Sequence, residues 1–280
     1  MNFIVVLNVM KKLVTLLLLF AALSSSAQNY LFIGIDSRSK ELAGNADMIM
    51  IMTVHKENLK MASIMRDTYV NIPGHGMDKI NASYRYGGAK LLISTINSNF
   101  KTKISSYIVV DFINAAKAVD MLGGLDMTVT DEERVQINNY VKEQVMYNNN
   151  KYVELTDTGN VKLNGDQVLA YTRIRYTAGG DRKRTERQRT VFNLIIKKMS
   201  SDKVSMGTLK SMFLLFNTNI DYHAAMETAG YVLLDPHHKW PETKAFPAED
   251  YSKGWIKNGI WYLKADIPTM GKDINDYIKN

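Results

Sequence analysis

Cysteine is absent from all 280 residues, so no disulfide can staple the fold. Stability must come from packing, and a chain of this length can bury enough surface for that. The five histidines come with no cysteine and no helical HExxH spacing, and His237-His238 behind Asp235-Pro236 reads as a loop. Ser37 has no nearby histidine or lysine to make it a nucleophile, and the glycine of LNGDQ reads as a turn residue, not as part of a phosphate loop. A hydrolytic triad finds no support. Repeats and low-complexity segments are also missing, and with 46% hydrophobic residues the chain lacks the composition of a disordered protein. One globular unit is expected.

Arginine is absent after Arg189 although lysines continue to the end, and six of the ten arginines lie in YTRIRYTAGGDRKRTERQR, between Arg173 and Arg189. The planar guanidinium fork matches phosphate oxygens two at a time, whereas lysine would serve solubility equally well. An anion with several phosphate oxygens is the first candidate ligand. The ordinary alternative is a solvated helix face whose ion pairs contribute roughly 0 to 1 kcal/mol each. Against it, Arg184, Arg187 and Gln188 share a face near a helix start, opposite the apolar stripe of Val191, Leu194 and Ile195. Helix N-termini favour anions, and Gly179-Gly180 lets the backbone come close.

Lys11-Lys12, an apolar stretch over 13–23 and Ser24-Ser25-Ser26-Ala27 have the layout of a secretory leader. The stretch alone is shorter than the roughly 20 residues of a spanning helix, but residues 3–9 could extend it into an uncleaved anchor. Starting at Met10 would give the leader ordinary proportions. Residues 1–27 are thus expected to be a signal peptide or membrane anchor, and residues 28–280 a single extracytoplasmic domain. Without Lys11 and Lys12 the formal charge falls from +7 to +5. That favours an anionic membrane surface or wall polymer and leaves no role for nucleic acid.

Strands are expected at 30–35, 48–55, 60–65, 107–110, 125–129 and 260–264, with a hairpin turn at 55–58. Helices are expected from Gly87-Gly88 to about residue 100, and at 112–122, 164–172, 184–199, 204–216, 223–233 and 267–278. Residues 131–150 read as polar and partly helical, an excursion at the surface. The alternation argues for a layered α/β domain with a mostly covered sheet. Asp36 follows YLFIGI and Asp47 precedes MIMIMTV, so both acids stand at strand ends, where α/β sheets bind ligands. They could converge on one magnesium ion, although aspartate at a strand end often only caps a turn.

LFIGIDSR, ADMIMIMTV, MASIMRDTYVNIPGHGMDKINASYRYGG, VDFINAAKAVDMLGGLDMTV, LNGDQVLAYTRIR and GDRKRTERQ occur in this order. Together they resemble the LytR-CpsA-Psr family over roughly residues 30–199. The resemblance implies a three-layer α/β/α sandwich with a central mixed sheet, and a long apolar pocket for a polyprenyl-pyrophosphate lipid. It implies a magnesium-dependent phosphotransferase that moves a phosphoglycopolymer, such as wall teichoic acid or capsular polysaccharide, from that lipid to peptidoglycan. Asp36 and Asp47 match the acids around Mg2+, and Arg66 a pyrophosphate-binding arginine. Arg173, Arg175, Arg184, Arg187 and Gln188 match the other side of the pyrophosphate, with Asp36, Asp47, Arg66 and Arg173 as the catalytic set. Arg38, Asp67 and Asp181 occupy motif positions too, and the two acids read as partners that orient the arginines. The sequence departs from the pattern at Asn45, where many members carry arginine, at Met48 in place of threonine and at Met65 in place of proline.

In the implied reaction an acceptor hydroxyl attacks the phosphorus nearer the glycan and lipid phosphate leaves, with preorganised charge supplying the stabilisation. Asp47 is the candidate to accept the hydroxyl proton. Candidates for the pocket lie in 89–100, in 112–122, and among Val168, Phe192 and Ile196. A noncatalytic anion-binding module and a pyrophosphate hydrolase are the alternative readings.

Overall fold

Alternation in QNYLFIGI sends Leu31, Ile33 and Ile35 to one face of a strand and Tyr30, Phe32 and Gly34 to the other. Both faces are apolar, which suits a strand inside a covered sheet. The computed structural model describes residues 28–36, 44–55, 58–148, 150–175, 180–200, 204–226 and 239–279. The expected leader, Ser37, Arg38, Gly179 and His237-His238 lie outside the described residues.

The QNYLFIGI strand, β1 (Gln28–Ile35), pairs antiparallel with β2 (Ala46–His55) and parallel with β6 (Ser106–Asp111). β3 (Asn58–Ile64) follows β2 through the expected hairpin, with His55 opposite Asn58. β10 (Lys239–Phe246) and β9 (Asn217–Thr218) form the edges of a six-stranded mixed sheet, in the order β10-β3-β2-β1-β6-β9.

One face of this sheet is covered by α1 (Ala82–Phe100) and the C-terminal helix α7 (Ile267–Lys279). Leu31, Ile33, Ile35, Ile49, Ile51 and Ile64 pack there against Leu92, Ile96, Phe100, Met270 and Ile274. α1 begins before the expected glycine pair, and Gly87-Gly88 interrupts it, Gly88 standing at φ 63°. The other face meets α5 (Gly180–Met199), α2 (Phe112–Met121), α4 (Gly165–Arg173) and α6 (Met206–Phe213). Met50 and Met61 pack on Phe192 of α5, and Phe32 meets the Phe192 ring edge-on at 4.9 Å. The expected three-layer α/β/α sandwich is the observed architecture.

Gly165 opens α4 where it lies close against its neighbour in the same layer, since a Cβ there would lie 2.0 Å from the Ala116 carbonyl oxygen of α2. It is therefore a contact residue between helices, not only a turn residue.

Two expectations change. The strand at 125–129, β7 (Leu125–Val129), leaves the main sheet and pairs with β8 (Gly159–Leu163), because only its alternate residues are buried. The partly helical excursion expected after it is one long helix, α3 (Asp131–Asn148), and not merely surface, since it buries Ile137 and Val141 with Leu155, Leu163 and Val168. Its buried polar groups have partners, Asn138 donating to the Leu155 carbonyl and Gln144 to that of Asp166.

Two hairpins went unforeseen, β4 (Tyr69–Ile72) with β5 (Gly76–Lys79), and β11 (Ser252–Lys257) with β12, whose second strand (Ile260–Ala265) was expected. β10 was missed because KWPETKAF is charged and carries proline, residues a sheet tolerates at its edge. Among the described residues no helix is long and apolar enough to cross a membrane.

Candidate functional site

The register of the central strands gathers the site. Ile35 lies opposite Ala46, so Asp36 leaves β1 beside Asn45 and Asp47 at the start of β2. β3 runs out at the same end into Arg66 and Asp67, while the segment after α4 brings Arg175 and the first turns of α5 bring Asp181, Arg184 and Gln188. This is the carboxyl end of the parallel pair β1 and β6.

Asp47 is the hub. Its Oδ1 accepts from Arg66 Nη1 at 2.7 Å and its Oδ2 from Arg184 Nη2 at 2.8 Å, with Arg175 Nη2 at 3.5 Å. Gln188 Nε2 lies 3.5 Å from the Asp47 carbonyl oxygen. Asp181 lies between the two inner arginines, 3.3 Å from Arg66 and 3.5 Å from Arg184. Asp67 stands 3.5 Å from Arg66 Nε and 2.8 Å from Lys79 Nζ. The two extra acids thus sit where orienting partners would, each against a guanidinium group.

Burial pushes the Asp47 carboxyl up, but Arg184, Arg66 and Arg175 outweigh it and hold the group below its ordinary range. For Arg66, burial opposes the charge and Asp47, Asp181 and Asp67 more than offset it, so its pKa rises. Arg184 moves down, because its burial is deeper and Arg66 and Arg175 repel it. Asp47, the expected candidate for the acceptor proton, thus has both carboxylate oxygens engaged by arginines in this structure.

The arginine run does not converge as one cluster. Arg173 donates to Glu143 at 3.1 Å and to Gln144 at 3.3 Å, with its guanidinium over the Tyr140 ring at 4.9 Å. Arg187, buried in α5, pairs with Glu133 at 3.1 Å and donates to the Ile174 carbonyl at 3.4 Å. Both are held by α3 in this structure, unlike Arg175 and Arg184. Arg182 reaches the C-terminal segment, donating to Ser252 Oγ at 2.9 Å and to the Pro247 carbonyl at 3.2 Å. Glu133, Glu143 and Lys79 were not foreseen. The acidic run DEER at the head of α3 carried the signal, which the surface reading of 131–150 obscured.

Between the sheet and α5 lies an apolar cavity of about 290 Å³. Phe32, Met48 and Val110 line it from the sheet, Ala115 and Val119 from α2, and Val168, Phe192 and Ile196 from the helices above. Residues 89–100 contribute nothing to it. That stretch belongs to α1 on the opposite face, where Leu92, Ile96 and Phe100 are wholly buried in the other core. The cavity wall includes Asp47 and Gln188, so apolar space and charged cluster share a boundary.

The donor chemistry at that boundary fits a hard divalent cation. The Asn45 side-chain oxygen, two residues before Asp47 in the chain, is buried without a hydrogen-bond partner. An ionised carboxylate has about four lone-pair positions, of which the arginines of Asp47 take two at short range. Magnesium is held in protein sites by one or two carboxylates plus phosphate oxygens and waters, which Asp36 and Asp47 would satisfy.

The sequence profile of the LytR_cpsA_psr family matches residues 11–277. A relative from Bacillus licheniformis, a polyisoprenyl-teichoic acid–peptidoglycan teichoic acid transferase called TagU, is 31% identical over 253 residues, covering 89% of this chain and 76% of that protein. The protein of the same name from Oceanobacillus iheyensis is 29% identical over 245 residues, covering 84% and 70%. Among solved structures, TagT bound to LI-WTA superposes with a TM-score of 0.73 at 26% identity, covering 91% of this chain and 90% of that one. The LytR-CPS2A-psr family protein YwtF (TagT) with bound octaprenyl pyrophosphate lipid gives 0.68 at 25% identity, covering 91% of each.

Proposed function

Because the chain belongs to the LytR-CpsA-Psr family, we propose that it transfers a phosphoglycopolymer from a polyprenyl-pyrophosphate carrier to a hydroxyl of peptidoglycan. One observation carries this reading: an apolar cavity runs up to Asp47 and Gln188, where Arg66, Arg175 and Arg184 collect. That combination suits an amphiphile with a long hydrocarbon tail and a polyanionic head. The similar proteins named above are called teichoic acid transferases or were solved with such a lipid, which supports the same substrate class.

In the step itself, a bond forms between the acceptor oxygen and the phosphorus nearer the glycan. The bond from that phosphorus to the bridging oxygen breaks, polyprenyl phosphate leaves, and the hydroxyl proton ends on the departing phosphate. Arg66 and Arg184 stand fixed by Asp47 and Asp181 before substrate arrives, so little reorganisation of these two accompanies charge development. Arg175 is the most exposed of the three, with 44% of its side chain accessible, and is the one free to swing from carboxylate to phosphate. Arg173 and Arg187 would join the clamp if Glu143 and Glu133 released them. Mg2+ held by Asp36 and Asp47 would supply further positive charge at the pyrophosphate. The leader over 1–27 would carry the protein out of the cytoplasm, to the outer face of the membrane or to the wall.

The test is incubation of the detergent-solubilised full chain with Mg2+, a short lipid-pyrophosphate-linked saccharide and a peptidoglycan oligomer, with mass spectrometry of the products. A phosphodiester-joined product that is absent with Arg66→Ala is the expected result. Saccharide phosphate released without ligation would make the protein a hydrolase, and bound lipid with no product at all would make it a binding module.

A further inference from the structure

A second surface begins one residue beyond Arg66. Lys79 Nζ bonds Asp67 at 2.8 Å and lies over the Tyr262 ring at 5.6 Å. Tyr262 meets Tyr69 edge-on at 4.9 Å, and Tyr69 meets Trp255 at 5.3 Å. Lys257 closes the far side, its Nζ 2.9 Å from the Tyr69 hydroxyl and 5.7 Å from the Trp255 ring centre. At the near side, Tyr86 is 40% exposed, stacks flat on the exposed His75 at 4.7 Å and donates its hydroxyl to Asp78 at 2.8 Å. The β4–β5 and β11–β12 hairpins, with Tyr86 from the start of α1, thus carry a strip of aromatic rings edged with lysines that starts at the charged cluster.

The ordinary account is that these rings pack one hairpin on the other. It covers Tyr262, which is 8% exposed, but not Tyr86, which is 40% exposed between His75 and the Arg85 guanidinium, 5.1 Å from its ring centre, and holds no interior together. Apolar C–H faces of sugar rings sit against the negative faces of aromatics, while amines and carboxylates at the rim bond their hydroxyls.

We propose that this strip is a saccharide subsite for the acceptor glycan strand. The inference rests on the transferase reading and on the geometry of phosphoryl transfer, in which attacking and leaving oxygens lie roughly in line across phosphorus. On that reading the tail of the leaving lipid phosphate lies in the apolar cavity, on the α5 face of the sheet, with its phosphate at the cavity's charged boundary. The attacking hydroxyl must then come from the other side. The strip lies there, because Val70 and Ile72 of β4 pack into the core shared with α1 and α7. Its lysines also suit a glycan whose stem peptides carry carboxylates.

The experiment titrates the full chain with a soluble N-acetylglucosamine–N-acetylmuramic acid oligomer, and separately with the lipid-pyrophosphate saccharide, for wild type, Tyr86→Ala and Trp255→Ala. Tyr86→Ala removes an exposed ring, so it tests the strip even if Trp255→Ala unfolds the hairpin. Support would be roughly tenfold weaker glycan binding in Tyr86→Ala, the size expected for losing an anchoring aromatic, with lipid binding unchanged. Glycan binding that is absent from wild type or unchanged in Tyr86→Ala would overturn the proposal, as would a strip that takes a glycerol-phosphate oligomer in place of the glycan. If the transferase reading fails but the oligomer binds through Tyr86, the titration still shows it, because it needs no turnover.

Discussion

Asp47 and Arg184 lie 137 residues apart in the chain and share a charge-assisted hydrogen bond of 2.8 Å, with 9% and 3% of their side chains exposed. The bond ties the sheet to α5 at the point where the cavity meets the charged cluster, so it has a structural role separate from any chemical one. Asp47→Asn should destabilise the fold by up to about 3 to 5 kcal/mol, because it removes the short-range counterion of buried guanidinium groups and leaves Arg184 only the longer contact to Asp181. Urea unfolding of the variant measures this. Loss of activity on changing Asp47 says nothing about mechanism until that measurement is made.

The same pair sets an acid limit. The Asp47 carboxyl is held below its ordinary value of 3.8, so its contribution to stability is complete above that pH and is lost as pH falls through the lower folded value. The stability gap between wild type and Asp47→Asn should be constant from neutral pH to about 5 and should narrow below 3.8. A gap that already shrinks near pH 6 would assign the effect to another group.

Arg187 and Glu133 form a second buried pair, between α5 and α3, at 3.1 Å. Glu133→Gln alone should cost about 3 to 5 kcal/mol, while Arg187→Met with Glu133→Leu should recover most of the loss, since apolar residues of similar volume replace such pairs well. If Arg187 also binds pyrophosphate, the double variant will be stable and weak in lipid binding. Thermal melts and lipid titration of the same samples separate the two roles.

Filling the cavity should uncouple binding from folding. Ala115 lines it from α2, and Ala115→Phe should place a ring in the open space, leaving the melting temperature nearly unchanged and cutting lipid affinity by an order of magnitude or more. Affinity that survives would show that the tail does not use this space.

Gly165→Ala should be disproportionately harmful for a single methyl. The added carbon would meet the Ala116 carbonyl oxygen at 2.0 Å, so α4 must move off α2, at a cost of at least the about 1 to 3 kcal/mol typical of overpacking. A melt within a degree of wild type would mean the two helices slide apart freely.

The core sheet was legible because its strands carry unbroken apolar runs, and Asp36, Asp47 and Arg66 were legible because they sit where those runs stop. α3 was misread for a physical reason. It buries only a narrow stripe and satisfies Asn138 and Gln144 through hydrogen bonds, so its composition looks like surface. The arginines illustrate a related limit. Spacing along α5 put Arg184 and Arg187 on one face, but the carboxylates that separate them, Asp47 and Glu133, come from distant elements no local pattern connects. The aromatic strip was invisible for the same reason, since it is made by two hairpins and the start of α1, which meet only through the fold.

The cavity has an energetic meaning beyond shape. A polyprenyl tail drawn from a bilayer into it exchanges one hydrocarbon surrounding for another, so little of the roughly 0.8 kcal/mol per methylene that holds such chains in membranes is gained or lost. Selection must then rest almost wholly on the head group. The protein would take up its lipid as a partitioning equilibrium between two oils, with the arginines around Asp47 deciding which lipid stays.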